Sequence, residues 1–151
     1  MHTERLEHLI YTSVEVAPLD PSELKSILDV ARSRNAKRSV TGMLLHSAGT
    51  FFQVLEGDDA VLNELFASIA ADPRHKRVTK IIDEPIARRD FADWSMGFAE
   101  AAPEELTSME GLSDFFQEGN SLANLQPGRA KKLLAAFADG RWRRGAKSNL
   151  A

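Results

Sequence analysis

An α+β fold is what this sequence predicts, and three observations carry the prediction. Five short runs rich in β-branched and aromatic residues have the composition of strands. Between them, two segments space apolar residues at helical intervals and open on helix-start signals. The resulting order is βαββαββ, two βαβ-like units with short antiparallel hairpins. That order suits a ferredoxin-like sandwich: a mixed five-stranded sheet with both helices on one face.

The first strand is expected over Leu6 to Ser13, with Leu9, Tyr11 and Ser13 on one face and His8, Ile10 and Thr12 on the other. Asp20-Pro21-Ser22-Glu23 then reads as a helix start, an N-cap acceptor followed by proline and by glutamate three residues on. Leu24, Ile27, Leu28 and Ala31 form its apolar stripe, which should fade near Asn35. Ser39 to Ser47 and Phe51 to Glu56 read as strands joined by Ala48-Gly49-Thr50. Gly57-Asp58-Asp59 opens a second helix with Val61, Leu62, Leu65, Phe66 and Ile69 as its stripe, and Asp72-Pro73 stops it. Val78 to Ile86 and Ala92 to Glu100 supply the last two strands.

Beyond Ala101 the pattern changes, because Pro103, Gly111, Gly119, Pro127 and Gly128 break the chain into short helical pieces. Residues 1–101 are therefore expected as one domain and 102–151 as a helical extension with a basic tail. The clearest piece, Ala130 to Ala138, carries Leu133, Leu134 and Phe137 on one side. It is expected to cover the sheet face that the two main helices leave bare, over Ile10, Phe52 and Val54.

Composition narrows the function. The chain has 151 residues, is 43% hydrophobic and 27% charged, and so has the make-up of a globular protein with a core. No apolar run approaches the roughly 20 residues that span a bilayer, and the N-terminus lacks a signal-peptide core. The absence of cysteine excludes disulfides and thiolate chemistry, in keeping with a cytoplasmic location. The four histidines lack ligand spacing, so no metal is expected, and no phosphate loop, HExxH or nucleophile elbow is present. Charge is uneven: Arg129 to Lys147 holds seven basic residues and one acid against a net formal charge of -3.

What remains is a set of polar residues inside apolar strands. Tyr11 is the sole tyrosine, and Gln53 interrupts Phe51-Phe52-Gln53-Val54-Leu55. A buried amide must be hydrogen-bonded, at a cost of roughly 1–3 kcal/mol if it is not. With the first and third strands as parallel neighbours, Tyr11 and Gln53 would lie side by side. Taken singly, each residue has an ordinary reading: Tyr11 as a strand aromatic, Asn35 as a helix cap, Trp94 and Met96 as core residues sharing a strand face with Phe98.

Taken together they resemble the BLUF family (blue light sensing using FAD). The resemblance runs over about the first hundred residues. It is carried by Leu9-Ile10-Tyr11-Thr12-Ser13, by Asn35 ahead of Val40-Thr41-Gly42-Met43-Leu44, and by Phe51-Phe52-Gln53-Val54-Leu55-Glu56-Gly57. Asp72-Pro73-Arg74-His75 and Arg89-Asp90-Phe91-Ala92-Asp93-Trp94-Ser95-Met96 complete it. The resemblance implies a blue-light photoreceptor, not an enzyme, that holds FAD non-covalently. Asn35, Asp72, Arg74 and His75 would face the polar edge of the ring, and Ile27, Leu28, Leu65 and Ile69 would wall it. The implied photoactive set is Tyr11, Gln53, Trp94, Met96 and Ser13. In it, Tyr11 gives up an electron and then, through Gln53, a proton, and the glutamine amide ends rotated or tautomerised.

The roughly fifty residues after the sensor are too few for a cyclase or phosphodiesterase domain. Output is therefore expected through the fifth strand and the C-terminal helices, to a homo-oligomer or a separate protein partner. Two other functions have less support in the sequence. An acylphosphatase-like hydrolase on this fold needs Arg and Asn around an anion-binding turn, and Val14 to Leu19 offers neither. A nucleic-acid-binding module would rest on Arg141-Trp142-Arg143-Arg144 alone, a run more often found as a solvated terminus.

Overall fold

A computed structural model describes residues 5–101, 104 and 127–138. The expected elements around Pro103, Gly111 and Gly119, the Phe137 side chain and the basic tail lie outside the described residues. Five strands form one mixed sheet: β1 (Leu6–Glu15), β2 (Thr41–Ser47), β3 (Thr50–Asp58), β4 (His75–Pro85) and β5 (Gly97–Glu100). Their order across the sheet is β4-β1-β3-β2-β5. The helices are α1 (Pro21–Lys37), α2 (Asp59–Ala70) and α3 (Pro127–Ala138).

Local chemistry explains where the elements begin. Asp20 caps α1 by accepting from the Glu23 amide at 2.8 Å while Glu23 reaches back to the Asp20 amide, and Pro21 takes the first helical position. Between β2 and β3 the turn is tighter than expected. Ser47 pairs with Thr50, leaving only Ala48 and Gly49 in the loop, both with positive φ (47° and 78°). That is the two-residue hairpin geometry whose twist matches the strands.

One expectation is corrected. β1 and β3 are neighbours, but they run antiparallel. The α1 crossover returns the chain so that β2 runs with β1, and the tight hairpin then reverses it, so β3 opposes both. The antiparallel register sets Tyr11 directly across from Gln53. The parallel pairing lies elsewhere, between β2 and β5.

Alternation along the strands builds two cores. Leu9, Tyr11, Leu44, Leu55 and Phe98 pack under Leu28, Ala31, Leu62 and Leu65 of α1 and α2. Ile10, Met43, Leu45, Phe52, Val54 and Ala99 face the other way and are covered by Ala130, Leu133 and Leu134 of α3. The expected docking of this helix on Ile10, Phe52 and Val54 is what the structure has.

β5 is shorter than expected, four residues instead of nine, because the stretch before it is held away from the ladder. The Trp94 amide turns back to the Phe91 carbonyl at 3.0 Å. The carboxylate of Glu56, fully buried on β3, accepts from the Asp90 amide at 2.7 Å, the Phe91 amide at 3.1 Å and the Thr41 hydroxyl at 2.8 Å. Glu56→Ala would strip buried N–H groups of their acceptor and should cost about 3 kcal/mol. Urea unfolding would show this as a lower midpoint at unchanged slope.

Candidate functional site

The face that α1 and α2 cover contains a cavity of about 170 Å³. Tyr11 and Gln53 reach it from the sheet, Met96 from the stretch ahead of β5, Ile27, Leu28, Ala31 and Arg34 from α1, and Ile69, Asp72, Arg74 and His75 from the end of α2 and the turn into β4.

Its floor is a row of hydrogen bonds. The Tyr11 hydroxyl donates to Gln53 Oε1, and Gln53 Nε2 donates to Met96 Sδ at 3.3 Å. Both ends of the amide are engaged, and both residues are buried. Burial pushes the Tyr11 phenol well above its ordinary pKa against the opposing pull of the Arg34 charge, so Tyr11 stays a neutral donor. Irregularities in the β1–β4 pairing fall on either side of Tyr11, where the ladder bends around it.

The turn into β4 is equally tied. The His75 Nε2 donates to the Ile69 carbonyl at 2.5 Å, which leaves Nδ1 to accept from the Ser13 hydroxyl at 3.0 Å. Arg74 grips Asp72 through Nε at 2.9 Å and Nη2 at 2.5 Å, and its hydrogen bonds hold the Asp72 carboxyl down at about 2. From α1, Asn35 Nδ2 donates to the Ser95 carbonyl at 2.8 Å and Arg32 Nε to the Met96 carbonyl at 2.9 Å. Asn35 Oδ1 and Arg34 Nε are buried with no hydrogen-bond partner among the described residues.

The profile of the family described as sensors of blue-light using FAD matches residues 6–97. The chain belongs to the BLUF family. The photoactivated adenylate cyclase subunit beta of Euglena gracilis is 41% identical over 93 residues, covering 60% of this chain and 11% of that protein. The match thus spans about a tenth of that relative. The dark-state structure of the BLUF protein BlrB is 31% identical with a TM-score of 0.71, covering 90% of this chain and 97% of that one. Klebsiella pneumoniae BlrP1 with FMN and cyclic diGMP is 31% identical with a TM-score of 0.62, covering 89% and 35%.

The BLUF domain is a flavin-binding blue-light sensor and not itself a catalytic unit, and the donor set of the cavity fits the group. A flavin ring edge carries two carbonyls and an N–H. On the lining, Arg34 Nε is a spare donor for a carbonyl, and just behind it the buried Asn35 Oδ1 is a spare acceptor of the kind that N–H needs. The walls from Ile27, Leu28, Ala31 and Ile69 are apolar.

Most of the expected residues converge on the BLUF cavity, and four do not line it: Trp94, Leu65, Asn35 and Ser13, whose hydroxyl is spent on His75. Trp94 does not share a face with Met96 and Phe98. It stacks on Phe91 at 5.9 Å in the core under α3, while Met96 joins the cavity side. The segment 92–96 is not a strand, so alternation does not apply to it. Gly97 makes room, since a Cβ there would lie 2.6 Å from the Trp94 ring. Leu65 is buried in the core behind the wall rather than on it. Asn35, expected at the polar edge of the ring, is fully buried inside α1 behind the lining, and it is not the helix cap either, since Arg38 closes the helix. Arg34 was not expected on the lining, although Ser26, Val30 and Arg34 share one stripe at i, i+4 and i+8 and all reach the cavity. No such spacing points to Arg32, whose partner is a backbone carbonyl.

Among the described residues no helix is long and apolar enough to cross a membrane, and no cluster of three metal-ligating side chains occurs. The Asp72 carboxyl sits below its unfolded value of 3.8, so the stability it adds is complete above that pH. It is lost as the pH falls towards about 2. Thermal unfolding of Asp72→Asn against the parent should show a gap at pH 5 that closes by pH 2.

Proposed function

We propose that this chain is a cytoplasmic FAD photoreceptor in which Tyr11 and Gln53 convert light absorption into a rearranged hydrogen-bond row. The observation that carries the reading is the buried Tyr11 hydroxyl donating to Gln53 on the cavity floor, with the other end of the amide on Met96. When bound, the flavin supplies blue absorption and, once excited, oxidising power. Tyr11 is the residue that can give up both an electron and a proton, and it is the chain's only tyrosine. Gln53 passes the proton because its amide offers acceptor and donor together.

The present amide orientation is set by the Tyr11 proton, which needs an acceptor. Turning the amide brings Nε2 towards Tyr11 and Oε1 towards Met96, and breaks the row as it stands. Asn35 and Arg32 hold the Ser95 and Met96 carbonyls, so the change is felt where the chain enters β5. Beyond it, Ala99 and Ala101 share a core with Ala130 and Leu133 of α3. Output then takes the form of altered self-association or binding of a separate protein partner. An allosteric effect of this kind is worth about 1–3 kcal/mol.

Tyr11→Phe keeps the packing and removes the redox-active hydroxyl. The variant should retain flavin but show no reversible red shift in its visible spectrum after blue light, and Gln53→Leu should behave alike. A normal photocycle in Tyr11→Phe would remove Tyr11 as the donor. The route to α3 is tested separately by hydrogen exchange in dark and light. Protection should fall in residues 97–101 and 127–138 on illumination, and identical protection in both states would exclude this route.

A further inference from the structure

The stretch that leads into β5 is not a strand, so individual hydrogen bonds from other elements fix its backbone. The Gly42 amide donates to the Trp94 carbonyl at 3.1 Å, and Asn35 to that of Ser95 at 2.8 Å. At Met96 the donor is Arg32 Nε, 2.9 Å away and 64 residues earlier in the chain. The Met96 side chain also accepts, from Gln53 Nε2 at 3.3 Å. Arg32 therefore holds the backbone of the residue whose sulfur meets the photoactive amide.

The charge of Arg32 is not spent on an ion pair among the described residues. Asp29, the acid whose field it feels, is bonded to Lys25 at 2.8 Å. Arg32 Nη2 is buried with no hydrogen-bond partner among the described residues. A donor left unpaired in this way costs stability, and the charge-assisted bond to the Met96 carbonyl offsets that cost. Close packing passes the grip on. A Cβ at Gly97 would lie 2.9 Å from Met43 Sδ and 2.6 Å from the Trp94 ring, so the backbone beside Met96 has little room to shift.

We propose that Arg32 is a positioning residue of the photocycle: by fixing the Met96 backbone, it sets how long the turned glutamine amide persists after illumination. The inference rests on the reading of Tyr11 and Gln53 as the photoactive pair. In the present row Met96 Sδ accepts from Gln53 Nε2. Turning the amide puts Oε1 there instead, so two acceptors face each other. A Met96 held in place keeps that mismatch, which favours return to the dark orientation. A Met96 free to shift relieves it, and the light state lives longer. Arg32 is not on the cavity lining, so it acts through Met96.

Dark recovery of the red-shifted spectrum, followed in the flavin-loaded protein, reads this out. Arg32→Met keeps the length of the side chain and removes the donor. It should take up flavin and form the red-shifted state, but return to the dark spectrum about fivefold more slowly than the parent. Met96→Leu removes the sulfur through which Arg32 acts. Adding Arg32→Met to it should therefore change recovery by less than about twofold, which is the signature of coupling between the two residues. Parent-like or faster recovery in Arg32→Met would overturn the proposal, as would loss of flavin or an equal slowing on the Met96→Leu background. A parent protein that takes up flavin but shows no red shift after blue light would instead overturn the Tyr11–Gln53 reading, and this proposal with it.

Discussion

β3 is the central strand, covered on both faces, and Gln53 and Glu56 are among the polar side chains buried on it. Gln53 and Glu56 must therefore be satisfied inside the protein, and each takes part of its bonding from residues 90–96. Glu56 takes the amides of Asp90 and Phe91, and Gln53 takes the sulfur of Met96. The same stretch is held from α1, where Arg32 and Asn35 take the carbonyls of Met96 and Ser95. A segment without regular structure is thus located by polar bonds from the sheet on one side and a helix on the other. The cost of leaving any of those buried groups unbonded is what keeps it in place.

That constraint gives the glutamine amide its leverage. In water, a rotated side-chain amide would exchange one solvent partner for another at little cost. Here its alternatives are Tyr11 and Met96, both already engaged, so the amide has few orientations and each one redistributes bonds on the floor of the cavity. Trp94 and Met96, two residues apart, fall on opposite sides of the sheet. The segment that answers to Gln53 therefore touches both cores, one with the cavity and one with α3.

The charges around the cavity are not alike. Asp72 and Arg74 form a closed pair that neutralises itself and shapes the turn into β4. His75 is committed to Ser13 and Ile69. Arg34 remains open, with a buried Nε that has no hydrogen-bond partner among the described residues, so its energy depends on a ligand. The difference lies in hydrogen-bond partners, because all of these groups line the same cavity.

Much of this was legible in the chain itself. The Asp20-Pro21-Ser22-Glu23 cap, the helical stripes and the strand alternation are written in residues a few positions apart, because capping and periodicity are local effects. The family segments placed Tyr11, Gln53, Asp72, Arg74 and His75 at one site, and alternation set Ile10, Phe52 and Val54 out for α3. Sequence alone did not decide the direction of β1 against β3, the shortness of β5 or the face taken by Trp94. Nor did it show that Asn35 and Arg32 would spend their donors on backbone carbonyls some sixty residues away. Those outcomes depend on which distant groups meet and which buried polar atoms must be paired when they do. Residue type and spacing carry the local rules, and only the assembled sheet, with its central strand closed off from water, decides the long-range bonds.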